Sequence, residues 1–403
     1  MLAQAMLRYQ TLVAAAVILA THILPAQATP VGRRDVGWPN TTGSGSSTLA
    51  ARVHYPATSA GSNTPIAPRP GGWPVVVFLH GFASPGTLYG AFGDALASRG
   101  FVVVVNNTAT FDNNGQEADG RALYSAILAA NAEPSGPFDG ALDTGSIGLC
   151  GHSMGGGNTA NVLSNNPGYR CGLGFAPTDA RGSNASRIAV PFGILVGTGD
   201  TITPWQAFSR PLYDGLTAVS GLRYLTLLDG SVSHTNLVGP FLFGGSGAPF
   251  AAAITHADGF FRRHLLGDAQ GMEVVLGATA RAEPRLVSID VEIEEPDVWP
   301  DDTLLLGTRR RLSVGAEPGP CGILAAPAFA QAPIQTAFGV LLLDPAGLEL
   351  AWSGTAGSDR RFDVVIDVPT DPALGGVTVP VQAFGASRDA GLVLGAATGL
   401  GLR

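Results

Sequence analysis

Two short, uninterrupted apolar runs limit what this chain can fold into: Trp73-Pro74-Val75-Val76-Val77-Phe78-Leu79 and Phe101-Val102-Val103-Val104-Val105. A strand that is apolar at every position has both faces buried, so its sheet must be covered on both sides. Between the runs, Thr87 to Arg99 carries spaced apolar residues and stops at Gly100, as a helix does. A first strand is expected at Thr48 to Tyr55, and the alternation continues downstream. Asp119 to Asn131 reads as helix, Ser146 to Cys150 as strand, Gly156 to Ser164 as helix, Cys171 to Ala176 and Phe192 to Gly197 as strands, and Ala251 to Leu266 as helix. Strand and helix alternating in this way predict an α/β fold, a mostly parallel sheet with helices on both faces.

The texture changes near residue 275. Beyond it come short β-prone pieces, Leu286 to Ile293, Thr336 to Leu343, Phe362 to Val368 and Val377 to Phe384, separated by prolines and glycines. These predict a small, all-β, sandwich-like domain. The expected layout is a catalytic domain over 29–275 and a β-rich domain over 276–403. In front stands an export signal: Arg8, an apolar run from Thr11 to Ile23, and Pro25-Ala26-Gln27-Ala28 with its small-x-small ending. The run is shorter than the ~18 to 20 apolar residues a membrane span needs. Cleavage near Ala28 is therefore expected, leaving a protein without a membrane span that is secreted or held in the periplasm or at the cell surface.

Composition removes other classes. With 45% hydrophobic and 13% charged residues, the chain can bury a sizeable core. The net charge is -8, and every basic residue is an arginine. None forms a stripe, so the footprint of a nucleic-acid binder is missing. Three cysteines, Cys150, Cys171 and Cys321, are too few for a disulfide framework or a zinc site. Cys150 ends one strand and Cys171 begins the next, which puts them at remote ends, so all three are expected as buried thiols. The acidic run from Asp290 to Asp302 reads as a solvated strand edge, and no metal or cofactor is expected.

Chemistry concentrates at Gly151-His152-Ser153-Met154-Gly155, directly after one expected strand and before a helix. A sharp strand-to-helix turn with serine at its apex leaves no room for side chains at the flanking positions, hence the glycines. Such a nucleophile needs an acid and a base, in that order downstream. His234 is the expected base. Asp200, in the loop after Phe192 to Gly197, is the expected acid, with Asp229 as the rival because it lies close to His234 in sequence. The oxyanion would be held by two amides, one from Met154 at the start of the helix and one from Phe82 in the His80-Gly81-Phe82 loop.

With those residues in view, the stretch from about Gly37 to Asp268 resembles the α/β-hydrolases of the polyester hydrolase, bacterial cutinase and chlorophyllase-like group. The resemblance is carried by His80-Gly81-Phe82, Arg99-Gly100-Phe101-Val102-Val103, Leu142-Asp143-Thr144, Gly151 to Gly157, Asp200 to Pro204, and Leu228-Asp229-Gly230 leading to His234. It implies an acyl pocket lined by Phe82, Met154 and Ile202, with Trp205 extending the wall of an open cleft. It also implies a serine esterase that cleaves carboxylic esters, cutin-like and synthetic polyesters among them; no cofactor is expected, and of the oligomeric states a monomer is the expected one. Alternatives are a dienelactone-hydrolase, lipase or phospholipase-like enzyme, or a surface-binding protein with a vestigial hydrolase domain. The sequence departs from polyester-degrading relatives in three places. Pro177-Thr178-Asp179 stands where they carry a tryptophan, Val232 looks inserted in the histidine loop, and the cysteines that often tie the acid and histidine loops are missing. The part from about 280 onward resembles modules found at the ends of secreted bacterial proteins, from which no function follows.

Overall fold

A computed structural model describes residues 29–42, 45–239, 247–388 and 391–403. The expected signal sequence lies outside them. The described chain falls into two compact units, one ending at Val291 and the other running from Glu292 to Arg403.

The first unit is built on a ten-stranded sheet. In chain order its strands are β1 (Val31–Pro39), β2 (Thr48–Pro56), β3 (Gly61–Ser62), β4 (Trp73–Leu79), β5 (Val102–Asn106), β6 (Leu142–His152), β7 (Gly172–Phe175), β8 (Phe192–Gly197), β9 (Leu222–Leu228) and β10 (Leu286–Ile293). They lie side by side as β10-β9-β8-β7-β6-β4-β5-β2-β1-β3. From β5 through β4, β6, β7 and β8 to β9 every pairing is parallel, while β2 and β1 add antiparallel strands at one side. The two apolar runs are β4 and β5, and their valines are fully buried, as strands covered on both faces must be.

The helices that do the covering are α1 (Gly90–Ala97), α2 (Asn113–Ala132), α3 (Met154–Leu163), α4 (Ser209–Gly215) and α5 (Ala248–Leu266). Helix α1 packs with α5, and α2 packs with α3. The two pairs take opposite faces. Gly148 on β6 meets Phe261 of α5, whereas Leu79, paired three positions further along with Gly151, reaches Gly120 of α2. An odd offset along a strand reverses the face. The architecture is that of an α/β hydrolase. The chain runs from β4 to β5 on one side and then to β6 on the other, so a crevice opens beyond the carboxyl ends of β4 and β6, where ligands collect in such sheets.

The unit from Glu292 to Arg403 holds a three-stranded, a four-stranded and a two-stranded sheet, all antiparallel. Val298, Leu312 and Val314 from the three-stranded sheet share one core with Ile323, Val381 and Ala383 from the four-stranded sheet. That is the arrangement expected of a small sandwich.

Two sequence expectations change. Leu286–Ile293, expected as a piece of the β-rich domain, is instead β10 at the edge of the ten-stranded sheet. Cys150 and Cys171 are not at remote ends. Cys150 pairs with Leu173 and Leu149 with Gly172, so Cys171 sits two register positions from the partner of Cys150, because β6 runs on past the start of β7. Both are free and buried, and burial pushes both thiols well up.

Candidate active site

The turn after β6 is strained as its sequence requires. Ser153 has φ +56° and ψ -119°, a backbone state that a non-glycine residue holds only where its surroundings impose it. A Cβ on Gly151 would stand 2.3 Å from the Gly155 carbonyl oxygen, and one on Gly155 would stand 2.1 Å from that of Leu79. The serine is thus pressed out toward the crevice, between backbone that cannot retreat. Helix α3 begins at Met154, whose N–H belongs to the unpaired first turn. Among the described residues, neither this N–H nor that of Phe82 donates to a protein acceptor. Both amides are therefore free to meet another acceptor.

Asp200 and His234 are in direct contact: His234 Nδ1 lies 2.8 Å from Asp200 Oδ2. The same carboxylate accepts from the N–H groups of Ile202 and Thr203 at 2.9 and 2.8 Å, and from the Thr203 hydroxyl at 2.8 Å. Burial would raise the Asp200 carboxyl, but its bond to His234 and the Thr203 donors outweigh burial and hold it below the usual carboxylate range. The rival, Asp229, is turned to its own loop, where it accepts from the Ser231 N–H and hydroxyl. Among the described residues, the Ser153 hydroxyl makes no hydrogen bond to the His234 ring. His234 is tied instead to the residue before the serine, with His152 Nε2 2.7 Å from the His234 carbonyl.

No disulfide ties the acid loop to the histidine loop; backbone contact does. A Cβ on Gly197 would stand 2.0 Å from the Val232 carbonyl oxygen, and one on Gly199 would stand 2.3 Å from that of Gly230. Val232, in the loop that ends at His234, is itself fully buried.

Around the serine the rim is apolar. Phe82 and Ile202 are 58% and 63% exposed, and Trp205 is partly exposed three residues further on. Sequence reasoning missed a fourth member. Phe111 is 72% exposed and meets Phe82 edge to face, with ring centroids 5.6 Å apart. Its loop is fixed against the Phe82 loop by the Ala83 N–H donating to the Thr110 carbonyl and by His80 Nε2 facing the Thr108 carbonyl. Among the described residues, no group of three or more His, Cys, Asp or Glu side chains is arranged to hold a metal.

The family described as PET hydrolase-like matches residues 28–242. The chain belongs to that family. Among its relatives, it is 30% identical to the bis(hydroxyethyl) terephthalate hydrolase of Streptomyces coelicolor over 40% of this chain and 51% of that protein. It is 31% identical to cutinase 2 of Thermobifida cellulosilytica over 34% of this chain and 51% of that protein. The same identity holds for cutinase cut1 of Thermobifida fusca, over 34% of this chain and 42% of that protein. The chain thus spans about half the length of the relatives it matches, or less. Within the matched range lie Phe82, Ser153, Asp200 and His234.

Proposed function

We propose that this PET hydrolase-like protein is an exported serine hydrolase of carboxylic esters, with Ser153 as nucleophile, His234 as general base and Asp200 as its orienting acid. The observation that carries the reading is the Asp200–His234 bond, accompanied by a strained serine and two unpaired amides. Ser153 Oγ attacks the ester carbonyl carbon and its proton passes to His234 Nε2. Asp200 accepts from Nδ1–H, which selects the tautomer that leaves Nε2 free and stabilises the imidazolium as it forms. The carbonyl oxygen, now an anion, is held by the N–H groups of Phe82 and Met154. Collapse expels the alcohol, which takes the proton back from His234. Water, activated by the same histidine, then releases the acid from Ser153.

The substrate reading follows from the rim. Phe82, Phe111 and Ile202 leave apolar surface open to solvent beside the serine, and an edge-to-face pair of rings offers its flat side to a third ring. Aromatic diesters and polyesters suit that surface better than short aliphatic esters. Relatives named for bis(hydroxyethyl) terephthalate and for cutin support the class. Export rests on the leader pattern ending near Ala28.

A fluorophosphonate probe tests the chemistry. Labelling of the native protein that disappears in Ser153→Ala, together with hydrolysis of bis(hydroxyethyl) terephthalate, supports the reading. A folded native protein that takes no label overturns it.

A further inference from the structure

The strand-to-helix turn carries a buried histidine that the reaction above does not use. His152 Nε2 is 2.7 Å from the His234 carbonyl, and His152 Nδ1 is 3.0 Å from the hydroxyl of Tyr89. That hydroxyl also receives the Gly81 N–H at 2.9 Å. Tyr89 is fully buried, and His152 is nearly so. The Tyr89 hydroxyl also pairs with the Ser84 side chain, and in this chain of bonds the proton on His152 follows from its other partner. A carbonyl can only accept, so His152 carries its proton on Nε2. Nδ1 of the neutral ring must then accept, and the Tyr89 hydroxyl must supply that proton while its lone pair takes the Gly81 N–H. Burial above all, with the nearby His234, pushes His152 down to about 3, which keeps this single pattern in force.

The ends of the chain are informative. One is the amide of Gly81, the residue before the oxyanion donor Phe82. The other is the backbone of the base itself. A Cβ on Gly81 would stand 2.9 Å from the Tyr89 hydroxyl, 3.3 Å from His152 Nδ1 and 3.4 Å from Ser153 Cβ, so the oxyanion loop is seated directly on the relay and on the nucleophile. The His152 and His234 rings have centroids 4.6 Å apart. A neutral ring there adds no like charge when His234 becomes an imidazolium.

We propose that Tyr89 and His152 are positioning residues that refer the oxyanion loop and the base loop to the same point of the elbow, so that the two amides, the serine and the imidazole meet in one geometry. The inference rests on the catalytic reading above. It predicts an effect on turnover rather than on ground-state binding, because Tyr89 is fully buried and His152 nearly so.

Steady-state kinetics on a p-nitrophenyl ester test it, with circular dichroism to establish folding. Tyr89→Phe keeps the ring against Phe78, where the centroids lie 4.8 Å apart, but removes the hydroxyl. It should lower kcat about 10- to 100-fold, the scale on which small misplacements act, with KM changed less than about twofold. His152→Leu should lose at least as much. His152→Gln, whose amide can still donate to the His234 carbonyl, should recover about tenfold of that loss. If His152→Leu does not fold, Tyr89→Phe decides. Folded variants with native kcat, or losses confined to KM, overturn the relay while fluorophosphonate labelling of the native protein leaves the catalytic reading standing. Absence of that labelling overturns both.

Discussion

Thr203 grips Asp200 from two sides, its N–H 2.8 Å from Oδ1 and its hydroxyl 2.8 Å from Oδ2, while the same hydroxyl lies 3.1 Å from His234 Nδ1. The carboxylate is therefore set before substrate arrives, and its one remaining task is to face the imidazole. Asp200→Asn keeps the size and loses the charge, and the amide can present a donor to Nδ1, selecting the wrong tautomer. A fall in kcat of about 10⁴-fold is expected, as for other serine triads that lose this acid. A kcat within tenfold of native would show that Asp200 is not the acid.

Phe111 stands 29 residues beyond Phe82 and meets it across the rim. Phe111→Ala should reduce kcat/KM for an aromatic diester about 3- to 10-fold, the equivalent of one aromatic contact. Hydrolysis of p-nitrophenyl acetate, too short to reach the ring, should stay near native. Equal losses on both substrates would place Phe111 in the support of the loop instead of the binding of the ring.

Gly197 supports the acid loop against the histidine loop without a crosslink. In Gly197→Ala the new methyl would meet the Val232 carbonyl, a clash typical of overpacked sites that cost about 1–3 kcal/mol. Lower stability in urea and lower kcat should appear together, because the same shift separates Asp200 from His234. A variant as stable and active as native would refute the tight seam.

Acid should destabilise this protein through its buried histidines. Burial pushes His152 and His256 down from the ordinary 6.5 to about 3 and about 4. Between those values and 6.5 the folded state keeps them neutral while the unfolded chain protonates them, so the unfolded state binds more protons. Their neutral burial carries no penalty above pH 6.5, and stability falls as pH drops toward 4, by about 1.4 kcal/mol per pH unit for each histidine. Urea midpoints at pH 7.5, 6 and 5 should decline steadily, and His256→Gln should make the decline shallower. A flat profile would mean that water reaches these rings.

Much of the molecule could be read along the chain. Buried runs such as β4 and β5, the glycines around Ser153 and the order serine, aspartate, histidine are local patterns, and local backbone chemistry makes them legible. Asp200 was preferred over Asp229 because it ends a strand, and it is Asp200 that the structure brings to His234. What could not be read is everything that depends on which strands become neighbours. Phe111 reaches Phe82 because β5 lies beside β4 in parallel, which puts their following loops at one edge. Tyr89 reaches His152 because the chain after β4 folds back over the end of β6. Cys171 lies near Cys150 because of a register between β6 and β7. Strand β1 lies ahead of the first strand expected from the sequence: its residues are only partly buried, and pairing with β2 rather than hydrophobic periodicity holds it in place. Periodicity along a chain encodes which faces are buried, but it says nothing of which buried faces meet; strand order and register supply that, and packing settles them across the whole unit at once.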